Sequence, residues 1–245
     1  MSISCSPSRP VPQSPKPCVI PAFPEAPDIV LSADCPDTAV CLTLESAVSL
    51  GNWARAVVRW HEAVASCPGV QEEAVQGLVA APPPYEPSLE DVERWMTLPG
   101  VKVKVEQKDC GEVNAYYYYL ERRIVMCNEL KAFSPGLSRF ILAHEMAHAI
   151  IWQRGIPYTG SGEVAADELA AWILSIRGDQ AAVIAAAEFF AEDPDEEDPW
   201  DDHPSDARRA ATLVCLAVQS QGKDPAICTT DFFHVGSTWN RLLSL

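Results

Sequence analysis

The chain has 245 residues, of which 48% are hydrophobic, and a formal net charge of −16. A chain of this length can bury a substantial core, as one large domain or as one domain with an appendage. The negative charge argues against nucleic acids as partners, because binding them requires clustered Lys and Arg side chains. No apolar run approaches a membrane span, although a lipid anchor on Cys5 or Cys18 stays possible.

The nine cysteines bear on the cellular compartment. They lack the C-x-x-C spacing of a zinc or redox site, so disulfides in an oxidising compartment explain them better. We therefore expect an extracytoplasmic location (periplasmic, cell-surface or secreted), with an export signal removed ahead of the sequence shown. We predict two disulfides that bracket compact segments, Cys110–Cys127 and Cys215–Cys228, and a further one from Cys35 to either Cys41 or Cys67.

The N-terminal part of the chain divides in two. Residues 1–40 are rich in proline, which blocks helix and sheet alike, and they predict an extended tether. Residues 41–84 predict a helical appendage, because apolar residues recur at helical spacing from Leu44 to Ser66 and a second helix follows over Gln71–Ala80. The pair is similar to one hairpin of a tetratricopeptide-type repeat, and two uses are open: binding a protein partner, or packing against the remaining domain.

Residues 85–245 follow Pro82–Pro84 and predict an α+β domain with a small antiparallel sheet. A capped helix over Ser88–Met96 comes first, and alternation from Val101 to Glu106 predicts a half-buried strand. A hairpin follows, with strands over Val113–Tyr119 and Arg122–Cys127. The four consecutive tyrosines of its first strand alternate between the sheet faces, two inward and two outward. They are either ordinary sheet residues or part of an edge strand that pairs with an extended peptide.

An apolar helix carries the pattern H-E-x-x-H as His144, Glu145 and His148. Ser134 and Gly155 suit its first and last turns as capping residues. Residues four apart share a helix face, so the two imidazoles can hold one metal ion. Glu145 projects about 100° further round, where its carboxylate can take a proton from a water that the ion activates.

The alternative to a metal site is a chance pattern with two buried histidines. Both histidines continue the apolar stripe that faces the core. A core face does not accept two imidazoles without partners, because unpaired polar groups are costly to bury. The sequence therefore favours metal-activated hydrolysis.

Two acidic residues at helical spacing follow on a returning helix that begins near Glu163. Glu163 and Asp167 share a face, whereas Glu168 points about 100° away from Asp167. One of the pair can bind the metal and the other can orient a ligand; alternatively, acids in a first turn simply interact with the helix dipole. The hairpin of the two helices favours the ligand interpretation. The remaining predicted helices are Ser205–Gln221 and Trp239–Leu245.

The order His144-Glu145-x-x-His148 and Glu163-x-x-x-Asp167 resembles the gluzincin metallopeptidases. The resemblance spans about Val101 to Leu245 and narrows to a family of uncharacterised bacterial zinc metallopeptidases. It implies a zincin-like fold in which His144, His148 and Glu163 bind zinc and Asp167 orients a ligand histidine. The further motifs that carry it are Cys110-Gly111-x-x-Asn114-Ala115-x-Tyr117, Ile124-x-x-Cys127-x-Glu129-Leu130, Ala165-Ala166-Asp167, and Asp201-Asp202-His203 with Asp206, Arg209 and Cys215.

The predicted function is zinc-dependent hydrolysis of peptide bonds in a peptide or protein substrate. We expect Glu145 to act as general base and then as proton donor to the leaving amine. His203 is the candidate for a second group that polarises the oxyanion, unless it is a surface histidine, and Arg209 would brace the acidic residues. Two alternatives stay open: a catalytically inactive zinc-binding scaffold, and a hydrolase of deformylase type with Cys127 as a ligand.

Overall fold

The computed structural model describes residues 49, 52, 53, 56, 59, 86–158, 161–192, 205–220, 222, 228 and 232–244. The predicted tether, most of the appendage and its second helix, His203, and the cysteines before residue 86 lie outside them. The described elements form an α+β arrangement: α1 (Leu89–Met96), β1 (Lys104–Lys108), β2 (Ala115–Tyr118), β3 (Arg123–Cys127), a 3₁₀ helix (Asn128–Ala132), α2 (Pro135–Arg154), α3 (Gly162–Ile176), α4 (Gln180–Glu192), α5 (Asp206–Ser220) and α6 (Phe232–Leu243). Of these helices, none is long and apolar enough to cross a membrane.

The three strands form a mixed sheet in the order β1-β3-β2. β2 and β3 are the predicted antiparallel hairpin, with Tyr117 opposite Ile124. β1 instead pairs with β3 in parallel, with Val105 opposite Ile124, so the prediction of an antiparallel sheet is wrong. The second strand of the hairpin, β3, pairs with β1 and therefore lies in the middle of the sheet. Because β3 runs opposite to β2, it runs in the same direction as β1. β1 also starts at Lys104, later than the alternation from Val101 indicated.

Both described disulfides confirm the predicted pairings. Parallel strands end at the same edge of a sheet, so Cys110, just beyond β1, lies beside Cys127 at the end of β3 and is bonded to it. Cys215 of α5 is bonded to Cys228. The Glu129 carboxylate also accepts hydrogen bonds from the backbone N–H groups of Cys110 and Gly111, at 3.1 Å and 2.6 Å. The loop that leads into β2 is therefore fixed by one covalent bond and one carboxylate.

The helix that carries the H-E-x-x-H pattern has the predicted ends. The Ser134 side chain accepts a hydrogen bond from the Leu137 N–H, and Pro135 is the first helical residue. Gly155 ends the helix in the left-handed region, with φ 60°, a conformation that favours glycine. The capping box of α1, between Ser88 and Asp91, is also present.

Helix α4 is an element that sequence analysis did not predict. Its alanine-rich surface packs against the start of α2, where a Cβ built on Gly136 would lie 3.0 Å from the Ala185 Cβ. Small residues on both helices allow this close approach. Arg139 of α2 joins the two helices, since its guanidinium donates to the Asp179 carboxylate at 2.7 Å and 3.1 Å, and both side chains are buried.

The core surrounds α2, which packs against α1, β2, α3 and α4. Its largest fully buried side chains include Phe140, Leu142 and Ile150. Trp53, from a helical stretch within the predicted appendage, is 4% exposed and belongs to the same hydrophobic cluster. The appendage thus contributes at least one side chain to this core. Helix α6 starts at Phe232, well before the predicted Trp239, because its Val235 and Trp239 are both buried.

Candidate metal centre

Three side chains that could together hold a metal ion converge where α2 packs against α3. His144 and His148 come from consecutive turns of α2, and Glu163 comes from the first turn of α3. The His144 Nε2 atom lies 3.0 Å from the His148 Nε2 atom and 3.1 Å from the Glu163 Oε2 atom. The His148 Nε2 atom lies 3.2 Å from the Glu163 Oε1 atom. The spacing within α2 and the packing of α3 against it therefore place two nitrogens and a carboxylate around one point.

The chemistry of these donor atoms fits a divalent metal. The His144 Nδ1 atom lies 2.8 Å from the Asp167 Oδ1 atom, and an aspartate carboxylate only accepts hydrogen bonds. Nδ1 therefore carries the proton in neutral His144, and Nε2 directs its electron pair towards His148 and Glu163. Electron pairs directed at one point suit a positive charge placed between them. Two histidines and one carboxylate with a free fourth position form a ligand set typical of catalytic zinc.

Asp167 links His144 to Arg209, whose side chain is 11% exposed. Its side chain accepts from Arg209 Nε at 2.8 Å and from Arg209 Nη2 at 3.0 Å, in addition to His144. The Arg209 guanidinium also lies 3.9 Å from the ring centre of Phe190. Burial alone would raise the pKa of Asp167, but Arg209 and His144 hold that pKa well below its usual range. Asp167 therefore stays charged and fixes the orientation of the imidazole.

The surrounding carboxylates also control the proton on His144. Burial opposes a charged imidazole, but the hydrogen bonds to Asp167 and Glu163 raise the pKa of His144 to about 9. Burial alone would raise the pKa of Glu163, but His144 and His148 hold that pKa far below its usual value. These groups together thus favour a positive charge at their centre, either a proton or a metal ion.

Glu145 has the surroundings of a general base. Its side chain is 8% exposed, and burial raises the pKa of its carboxyl, partly offset by His144 and His148. The backbone of Tyr117 in β2 lies close enough to lower this pKa slightly as well. A carboxylate with a raised pKa beside a metal site is suited to accept a proton near neutral pH.

An open cleft gives access to these groups. A cavity of about 450 Å³ is lined by β2 and its flanking residues on one side, by the ligand residues on the other, and by Phe189 and Phe190 of α4. The four tyrosines alternate as predicted, because the rings of Tyr117 and Tyr119 pair with each other and those of Tyr116 and Tyr118 do likewise. The prediction of two inward tyrosines is only half right, since Tyr117 is buried and Tyr119 is 45% exposed in the cleft. β2 is the edge strand that borders the site.

The structure decides several sequence-based expectations about further residues. Cys127 is bonded to Cys110, so it is not available as the metal ligand of a deformylase-type site. Arg209 contacts an acidic residue as expected, namely Asp167. Sequence analysis missed Phe189 and Phe190, although they end an alanine-rich run whose high helix propensity was a usable signal. His203 lies outside the described residues.

Comparison with known proteins finds one family. Residues 131–243 match the model of a family described as "Putative metallopeptidase". The matched region contains the H-E-x-x-H helix, α3 and α5, and it leaves out the sheet. The match supports a peptidase role with a metal cofactor. No curated protein and no solved structure gives a significant match to this chain.

Proposed function

We propose that the protein is a zinc-dependent peptidase of gluzincin type. In this proposal His144, His148 and Glu163 hold one zinc ion, and Glu145 is the general base. The observation that carries it is the convergence of three ligand groups, two imidazole nitrogens and one carboxylate with contacts of 3.0 to 3.2 Å, beside a buried glutamate in an open cleft. The match of this region to a metallopeptidase family supports the reaction class. Bound zinc would lower the pKa of water at the open position to about 7.

The protein groups then move one proton. Glu145 takes a proton from the water as its oxygen attacks the carbonyl carbon of the scissile peptide. Glu145 afterwards gives this proton to the amide nitrogen, so that the C–N bond breaks and a neutral amine leaves. Asp167 holds the His144 ring in position, and Arg209 keeps Asp167 charged. His203 stays our candidate for polarising the oxyanion.

We also propose an extracytoplasmic location. The disulfides Cys110–Cys127 and Cys215–Cys228 are consistent with an oxidising compartment. Thiol labelling of protein isolated without reducing agent would test this directly. Free Cys110 and Cys127 in such a preparation would contradict the proposed location.

Two substitutions separate catalysis from metal binding. Glu145→Gln keeps the shape of the side chain and removes the base, so we expect near-stoichiometric zinc with casein hydrolysis reduced by several orders of magnitude. Glu163→Ala should lose both zinc affinity and activity, because it removes a ligand. Zinc content is measured after dialysis, and hydrolysis with fluorescently labelled, denatured casein. Glu168→Gln removes a neighbouring charge on α3 and serves as the control, with both properties retained.

The same comparison tests the alternative of an inactive zinc-binding scaffold. A scaffold would bind zinc through the same residues but would not need Glu145. Wild-type protein with full zinc that cleaves neither casein nor a mixed peptide library would contradict the peptidase proposal. Equal cleavage by wild type and Glu145→Gln would contradict the assigned base.

A further inference from the structure

A second cavity opens beside the metal ligands. It has a volume of about 670 Å³ and shares Tyr119, His148 and Glu163 with the cleft described above. Its remaining walls are mainly apolar and aromatic, with Trp152 from the last turn of α2 and Tyr158 from the α2–α3 loop. The cavity is therefore continuous with the proposed site of hydrolysis.

The aromatic walls of this cavity are unusually exposed. Trp152 is 59% exposed, Tyr158 is 50% exposed and Tyr119 is 45% exposed. Single exposed apolar residues are common on protein surfaces, but a group of large ones around one cavity indicates a binding surface. These three side chains do not serve the core, because each leaves about half of its surface in solvent.

The aromatic side chains are nevertheless held in defined positions. The Tyr119 ring lies edge-on to those of Tyr117 and Trp152, with ring centres 5.0 Å and 5.1 Å apart. Gln153 donates a hydrogen bond to the Tyr117 hydroxyl at 3.0 Å, which fixes the ring that supports Tyr119. A preformed aromatic surface binds an apolar group at a lower entropic cost than a mobile one.

The wall formed by Tyr158 depends on a glycine. A Cβ added at Gly162 would lie 3.2 Å from the Tyr158 hydroxyl oxygen and 3.5 Å from its ring. The absence of a side chain at this position lets Tyr158 lie against the start of α3. Glu163 follows directly in the chain, so the same turn supplies a metal ligand and supports the aromatic wall.

We infer that this cavity is a specificity subsite for an aromatic or large apolar side chain of the substrate. The inference rests on the proposed peptidase function and names its substrate class: peptides with such a residue close to the bond that is cleaved. The acidic or basic side chains in the lining are those of Glu163 and His148, and the proposed function assigns both to the metal. A charged substrate side chain would therefore lose its water without gaining a free partner, whereas an aromatic ring would pack against Trp152 and Tyr158.

Binding is tested with three labelled octapeptides that differ only at one central residue, Phe, Ala or Lys, in a background of Gly, Ser and Thr. Fluorescence anisotropy with zinc-loaded, full-length Glu145→Gln protein measures binding without turnover. We expect the Phe peptide to bind about 10-fold more tightly than the Ala and Lys peptides, as burial of one aromatic side chain predicts. In wild-type protein, cleavage should occur next to Phe or one residue away from it.

Substitutions at Trp152 assign the preference to this cavity. Trp152→Ala should reduce the preference for Phe over Ala to about 3-fold or less and leave binding of the Ala peptide unchanged. Trp152→Phe should retain most of the preference. Phe233→Ala is the matched control, because Phe233 is 55% exposed on α6 and does not line either cavity. The thermal midpoint of each variant shows that it is folded.

The outcomes distinguish the two proposals. Equal binding and equal cleavage of the three peptides would overturn the subsite and leave the peptidase function intact. A preference for Lys would overturn the aromatic assignment. Tight, Trp152-dependent binding of the Phe peptide without any cleavage by wild-type protein would support the subsite and contradict the peptidase function. Absence of both binding and cleavage would overturn both.

Discussion

Replacing Asp167 by Asn provides a sharp test of how the proposed metal ligands are positioned. Asp167 is 3% exposed and accepts three hydrogen bonds, one from His144 and two from Arg209. An Asn oxygen in the place of Oδ1 would still accept from His144 Nδ1 and Arg209 Nη2, but the amide NH2 in the place of Oδ2 would face the Arg209 Nε donor, so that hydrogen bond is lost. The substitution also removes the carboxylate that neutralises the largely buried Arg209 charge.

Both consequences have an expected size. Loss of a buried partner to a charged group costs about 3 to 5 kcal/mol of folding stability. Loss of the carboxylate that orients a ligand histidine lowers metal affinity about 10- to 100-fold. The uncompensated Arg209 charge acts in the same direction, because it repels a divalent cation. Asp167→Asn should therefore weaken zinc binding more than the removal of one negative charge at another position of α3.

The assay combines zinc competition against a chelating dye with urea unfolding in the presence and absence of zinc. Glu168→Gln removes the neighbouring charge on the same helix, and we expect it to change zinc affinity less than 3-fold. Wild-type zinc affinity in Asp167→Asn would refute the assigned role of Asp167. An equal loss of zinc affinity in the two variants would mean that the effect comes from the change in net charge near the site and not from the contact with His144.

Three further predictions concern stability. Cys110→Ser with Cys127→Ser opens a disulfide that spans 17 residues and should cost about 2 to 4 kcal/mol in urea unfolding; an unchanged midpoint would contradict this. Metal-free protein should lose the stability linked to His144 as pH rises from 6.5 through its folded pKa of about 9, because a raised pKa stabilises the fold fully only below the unfolded value. Thermal midpoints with a chelator should therefore fall over this range, and an excess of zinc should reduce the fall, since metal replaces the proton. Arg139→Met leaves the buried Asp179 unpaired and should cost about 3 to 5 kcal/mol; if adding Asp179→Leu recovers none of it, the ion-pair explanation is wrong.

Local spacing was sufficient for the chemistry of the site. The helical repeat of 3.6 residues fixes where His144, Glu145 and His148 lie relative to one another, whatever surrounds the helix. The same repeat relates Glu163 to Asp167. Ser134 and Gly155 act within a single turn of backbone, so the ends of α2 were also predictable. Each of these features depends on residues close together in the chain.

Other features depend on how distant elements pack, and the sequence alone did not determine them. The parallel pairing of β1 with β3 depends on which edge of the hairpin meets β1, and alternating residues do not specify that choice. Helix α4 was missed because its alanines make a weak amphipathic pattern, although they allow its close approach to Gly136. The contact between Arg209 and Asp167 joins residues on two helices.

The second cavity shows the difference most clearly. Tyr119, Trp152 and Tyr158 belong to a hairpin turn, the end of a helix and a loop, and although Tyr119 ends a distinctive run of tyrosines, nothing in the three segments indicates that they meet. Their exposure is visible only after α2, α3 and the sheet have packed, because the fold decides which aromatic side chains the core covers. The sequence was therefore sufficient to predict the proposed metal ligands and base, through the regular repeat within each of two helices. The tertiary structure decided which surface a substrate meets, because that surface is assembled from segments whose relative positions no local rule fixes.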